Sequence, residues 1–205
     1  MKAQKKQQAR QLFIDAAKQI VLSDGHDAIT VRRVADITGY TYPILYHYFK
    51  DLNALYWDLR LNMIEDMIKA LTDVPVQTTI AINSPIDDPL KEVLQSFLAY
   101  CDYFFQHPNV FRFFYFHDFI KPEGNEDYAH LEQRFAAMWQ GTFSKLISAN
   151  YMNVEDVAIV SKTLIYAIQG MIMLSLSSNG SLTQKEIHVE LEMLVKYLFK
   201  QEQRR

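Results

Sequence analysis

The 205 residues are 49% hydrophobic and 22% charged, the balance of a soluble globular chain long enough to bury a sizeable core. Six glycines and six prolines are too few for a turn-rich sheet protein, and the single cysteine, Cys101, excludes an internal disulfide and a cysteine-cluster zinc site. The net charge of −3 hides an asymmetry: residues 1–50 carry eight Lys/Arg against four Asp/Glu, so a basic first quarter precedes an acidic body that nucleic acid would repel.

Residues 1–10 read as a basic, Gln-rich arm that frays at its start and lacks the apolar segment of a secretory signal. Leu12, Phe13, Ala16, Ala17, Ile20 and Val21 then recur at helical spacing until Gly25. The stretch 30–51, TVRRVADITGYTYPILYHYFKD, organises the rest of the chain. Val31, Val34 and Ala35 fall on one helical face, Thr30 is placed to cap it, and Gly39 ends it by taking a left-handed conformation. Thr41 is placed to cap a second helix with Pro43 in its first turn. In that helix Leu45, Tyr48 and Phe49 share one face, while Tyr42, Tyr46 and His47 look outward. Two helices joined by a four-residue, Gly-containing turn have helix-turn-helix geometry.

Asp51 is a plausible cap for a fourth helix, whose stripe of Leu52, Leu55, Leu59, Met63, Met67 and Leu71 lasts about twenty residues. Residues 74–88 read as a loop, and Asp88-Pro89 restarts a helix running to about His107. Another helix starts at Pro108 and ends near 121–122, and a longer one covers about 128–149, with Leu131, Phe135, Met138, Phe143 and Leu146 as core candidates. Asn153 with Asp156, and Thr183 with Glu186, resemble capping boxes for the last two helices, 154–177 and up to about 201. No strand pattern, internal repeat or low-complexity tract interrupts this, so the expected class is all-α. The most apolar tracts, 110–116 and 164–176, are too short or too interrupted to span a bilayer, and a cytoplasmic protein is expected.

The run Thr30-Val31-Arg32-Arg33-Val34-Ala35, then Gly39, then Leu45-Tyr46-His47-Tyr48-Phe49-Lys50, resembles the DNA-binding domain of the tetracycline-repressor (TetR) family over roughly the first 60 residues. The resemblance implies a three-helix DNA-binding domain at 1–50 and a larger helical effector-binding and dimerisation domain at 51–205. It also implies that Thr30, Tyr46 and His47 hold phosphates with help from Lys50, and that Thr41 and Tyr42, with Arg32 or Arg33, meet base edges. The alternative for Tyr46 and Tyr48 is a place in the core. The family commonly has small or basic residues where Tyr42, Pro43 and Ile44 stand, and a lysine at Leu52; the basic arm (Lys2, Lys5, Lys6, Arg10) is a candidate electrostatic compensation.

Ten aromatics crowd residues 100–119, too many for one face of two helices, so some pack in the core and others are free to line a cavity. By resemblance, a pocket for a small apolar or aromatic effector is expected, with Met63, Met67, Tyr103, Phe104, Phe111, Phe114, Tyr115, Met138, Trp139 and Met171 as candidate walls; plain core packing is the competing assignment for each. The last two helices are apolar on more than one face, which demands cover on two sides. The family pairs these helices in a C2 homodimer, which makes Leu164, Ile168, Ile172, Leu191, Leu194 and Leu198 the interface candidates. His107, His117 and His130 lack the spacing of a metal site, and no nucleophile, phosphate-loop or dinucleotide motif occurs, so neither a metal, a cofactor nor an enzyme activity is expected.

The expected function is a transcriptional regulator that binds an inverted-repeat operator in double-stranded DNA, a repressor released by its effector. Two alternatives stand beside it: an effector-independent dimeric DNA-binding protein, and a helical carrier of hydrophobic molecules with a vestigial helix-turn-helix.

Overall fold

The computed structural model describes residues 2–72, 89–120, 126–177 and 179–200. The described residues form α-helices, short 3-10 turns and connections, with no strand. In chain order the helices are α1 (Lys2–Asp24), α2 (Val31–Thr38), α3 (Tyr42–Tyr48), α4 (Leu52–Thr72), α5 (Pro89–Gln106), α6 (Pro108–Phe116), α7 (Glu126–Ser148), α8 (Val157–Leu176) and α9 (Gln184–Lys200). The all-α class is as expected. The expected loop at 74–88 and the Asp88 cap lie outside the described residues.

Two compact units divide the chain: 1–67 with 107–132, and 68–106 with 133–205. This division differs from a boundary at residue 50, because most of α4 and all of α6 group with α1 and its neighbours. In this first unit Arg10 and Lys18 of α1 pair with Asp58 and Asp66 of α4, and α6 lies against α1. Phe13 is fully buried, its ring 5.5 Å from Tyr40, 5.6 Å from Tyr48 and 6.3 Å from Phe49, so one aromatic ties α1 to the turn and to the end of α3. The residues expected to fray are helical from Lys2.

Helix α6 ends at Phe116, five residues earlier than its sequence implied. The Asn53 side chain (2.8 Å) and the Trp57 indole both donate to the Ile120 carbonyl, and these bonds draw 117–120 out of the helix. His117 caps α6 in an extended conformation, its ring 4.4 Å from Tyr56, 4.6 Å from Phe119 and 5.2 Å from His26. Burial first, and then the adjacent His26, hold its pKa below the ordinary imidazole value, with Arg60 acting in the same direction and Asp27 and Asp118 in the opposite one. The unfolded chain accepts a proton at about pH 6.5 that the folded chain refuses. Stability from neutral His117 is therefore full above that pH and is lost as pH falls through the lowered folded value. We expect the unfolding temperature to drop on acidification from about pH 7 to about 5.5, and to drop less in His117→Phe.

In the second unit α5, α8 and α9 pack on one another. Phe97 stacks on Trp139 of α7 at 4.8 Å, with Tyr100 edge-on to Trp139 at 5.7 Å and Phe143 6.1 Å from Phe97. Thr183 and Glu186 form the expected capping box, with bonds of 2.8 and 3.3 Å to each other's backbone N–H. Asn153 makes no side-chain cap, and the chain instead enters α8 through a 3-10 turn, Val154–Asp156. Burial, with Asp102 beside it, pushes the Cys101 thiol up to about 12, too high for a nucleophile at neutral pH.

Candidate nucleic-acid interface and effector-binding residues

The helix-turn-helix forms for local reasons. Thr30 Oγ1 accepts the Arg33 N–H at 3.1 Å, satisfying one of the N–H groups that a helix start leaves without a partner. Gly39 closes α2 at φ 74°, a left-handed conformation that costs other residues more. Thr41 stands at the N-cap of α3 but makes no side-chain bond there; its carbonyl accepts from Ile44 at 3.0 Å, and Pro43 fills the first turn. Leu45 and Phe49 are buried and Tyr48 half-buried, as their shared face required.

Thr30, Arg32, Thr41, Tyr42, Tyr46, His47 and Lys50 are all exposed. Tyr42 is 55% and Tyr46 52% exposed, four residues apart on one face of α3, so neither is a core aromatic. Thr30 uses an acceptor lone pair for its cap, which leaves its O–H proton to donate. Arg33 differs from the others: half-buried, its guanidinium donates to Asp24, whose carboxyl is held below its usual value by Ser23 and then by Arg33. Arg32 is thus the better-placed cation of the pair for a base edge. Arg10 leaves the arm as well, since its side chain bonds Asp58 and the Tyr48 carbonyl. Lys5 and Lys6 remain exposed on the first turns of α1.

Two exposed apolar residues beside the turn, Ile37 and Tyr40, were missed by sequence reasoning. The signal was there for Ile37, which lies off the Val31–Val34–Ala35 face. The face as a whole offers a few cations, several hydroxyls and aromatic surface. That combination can hydrogen-bond phosphates and touch thymine methyls.

The effector candidates fall into both units. Met63, Met67, Phe111 and Phe114 are buried in the first, where Tyr115 is exposed with its ring 4.6 Å from Phe111. Phe104 and Trp139 are buried in the second, with Tyr103 and Met171 half-buried. The Met138 side chain lies outside the described residues. Within the second unit the aromatics around Trp139, namely Phe97, Tyr100 and Phe143, form a packed cluster that the candidate set did not contain.

The interface candidates need correcting. Leu164, Ile168, Ile172 and Leu191 are fully buried inside their own chain, and Leu194 and Leu198 are half-buried. The aliphatic side chains point inward because α5, α8 and α9 cover them. The large apolar residues left outside are Ile159, Tyr166 and Met173 at seven-residue intervals on α8, with Leu174 beside the last of them, and Val189, Met193 and Tyr197 at four-residue intervals on α9.

No family model and no curated protein matches the sequence. Solved structures do match over nearly the whole chain. A TetR-family regulator from Marinobacter aquaeolei VT8 superposes with a TM-score of 0.63 at 18% identity, covering 95% of this chain and 97% of its own. RolR, solved in complex with resorcinol, gives 0.66 at 15% identity, covering 96% and 95%.

The chain has the fold of the TetR-family transcriptional regulators.

The TetR-family fold also occurs in the superantigen PfiT, with a TM-score of 0.67 at 18% identity over 91% of this chain and 95% of that one. The fold therefore does not by itself assign a function, which has to come from the surface.

Proposed function

We propose that this protein is a dimeric DNA-binding transcriptional regulator, a cytoplasmic repressor released by a small apolar or aromatic effector. The observation that carries this reading is the outward face of the α2–α3 pair: Thr30, Arg32, Tyr42, Tyr46, His47 and Lys50 are exposed together on a helix-turn-helix. A major groove admits such a helix, hydroxyls and cations hold the phosphates, and Tyr42 and Arg32 read base edges. Residues 1–50 supply the DNA-binding part and 51–205 the effector-binding and dimerising part. No catalytic role is proposed.

Dimerisation is supported by the stripes on α8 and α9. Gly170 lies between Tyr166 and Met173, and a Cβ added there meets nothing of its own chain within 4 Å, leaving room for a partner helix to approach closely. Val154–Leu176 has the length and apolarity to cross a bilayer, a longer tract than 164–176 alone, but one such helix is weak evidence for a membrane. Its inner residues already pack in the protein core, and a second copy covers the outer ones. Two copies present two recognition helices about 34–36 Å apart in the simplest one-turn arrangement, which calls for an inverted-repeat operator.

The resorcinol bound to RolR, a small aromatic diol, supports an aromatic effector here, and the half-buried Tyr103 and Met171, with Trp139, are among the candidate contacts. The experiment is a thermal-shift screen of small aromatic compounds, with each hit titrated into the protein–DNA complex. An effector weakens DNA binding and DNA weakens effector binding by the same factor, corresponding to about 1–3 kcal/mol of coupling. Hits that stabilise the fold and leave DNA affinity unchanged would remove the effector from the reading. Binding of hydrophobic compounds without any duplex binding would favour the carrier.

A further inference from the structure

Helix α3 has seven residues, too short to hold its own shape in water. Its end has no glycine cap: Phe49 comes next in an extended conformation and is buried. The Tyr48 carbonyl, at the last helical position, belongs to the group that a helix leaves without an internal partner. One side chain from α1 supplies the missing support. Arg10 Nη1 donates to the Tyr48 carbonyl at 2.5 Å, its Nε donates to Asp58 of α4 at 2.6 Å, and its guanidinium carbon lies 4.4 Å over the Phe49 ring. A positive group at a helix C-terminus also matches the sign of the helix dipole. Only a planar, forked cation makes all three contacts at once; a lysine ammonium is a point charge and does not.

We infer that Arg10 is a positioning residue for DNA recognition: by fastening the end of α3 to α1 and α4 it sets the pose of the recognition helix, and with it sequence selectivity, without itself neutralising a phosphate. This rests on the DNA-binding reading above. Base contacts are lost by small displacements of a helix in the groove, whereas phosphate attraction is long-ranged and tolerant. A loosened α3 therefore loses selectivity before it loses general affinity for DNA.

The test compares wild type, Arg10→Gln, Arg10→Lys and Asp58→Asn on two duplexes, one recovered by selection from random DNA and one scrambled at equal length, across a salt series. Folding is followed by circular dichroism, and binding is measured well below each unfolding temperature. Arg10→Gln is expected to lose about 10- to 100-fold on the selected duplex and less than about twofold on the scrambled one, with an unchanged salt slope. Arg10→Lys keeps the charge and is expected to lose selectivity as well. Asp58→Asn retains the bond to Tyr48 and is expected to lose less; it carries the same comparison if Arg10→Gln does not fold. Equal losses on both duplexes with a slope reduced by about one would make Arg10 a phosphate contact and overturn the inference. A lowered unfolding temperature with selectivity intact, or full rescue by Arg10→Lys, would also overturn it. Wild type with no selected duplex at all would instead sink the DNA-binding reading, and the positioning role with it.

Discussion

Glutamate in place of Tyr166 is expected to give a folded monomer that no longer holds an inverted-repeat duplex. Tyr166 is 67% exposed in the middle of the outer stripe of α8, so its replacement removes little packing within the chain. In a dimer the same carboxylate would lie buried against an apolar face without a partner, which is costly enough to separate the copies. A monomer engages one half-site, and losing the tethered second contact lowers operator affinity by about 100-fold or more. Sedimentation at micromolar concentration, circular dichroism and duplex titration read the three consequences separately. Ile168→Glu is the contrasting variant: that side chain is fully buried in its own chain, so the charge should unfold the protein rather than dissociate it. A Tyr166→Glu protein that still sediments as a dimer, and still binds, would move the interface elsewhere.

The Tyr42→Ala/Tyr46→Ala double variant is expected to keep its stability within about 0.5 kcal/mol, as for other surface substitutions, and to lose about 100-fold in affinity for the selected duplex, from one base-edge and one phosphate contact at roughly 1–3 kcal/mol each. The two single variants should differ in kind. Tyr46→Ala weakens all duplexes alike because a phosphate carries no base information, whereas Tyr42→Ala relaxes preference at one position of the site. Equal, sequence-independent effects from both would take base reading away from Tyr42.

What the sequence made legible was local chemistry. Thr30 and Gly39 act within a few residues of themselves, so the cap and the left-handed stop could be read from spacing, and so could the Thr183–Glu186 box. Arg10 could not be read, because its partners Tyr48 and Asp58 are 38 and 48 residues away; in sequence it is one more cation in a basic run. The early end of α6 was hidden for the same reason, since the donors to Ile120 come from α4, more than sixty residues upstream. On α8 and α9, periodicity showed two apolar faces but not which of them the chain covers itself. Hydrophobicity alone gives the Leu and Ile face to a partner, whereas the fold takes Leu164, Ile168, Ile172 and Leu191 inward and leaves Ile159, Tyr166, Met173, Val189, Met193 and Tyr197 among the residues outside. A hydrophobicity scale ranks side chains by the benefit of burial and says nothing about which neighbour does the burying.

Whether the exposed α2–α3 face is a DNA-reading surface is tested most directly by selecting bound sequences from random duplex DNA and titrating the enriched duplex across salt. Expected is enrichment of an inverted repeat, bound about 10³-fold or more tighter than a scrambled duplex, with affinity falling steeply as salt rises. Recovery of no consensus, with binding no tighter than to a charge-matched control duplex, would contradict it.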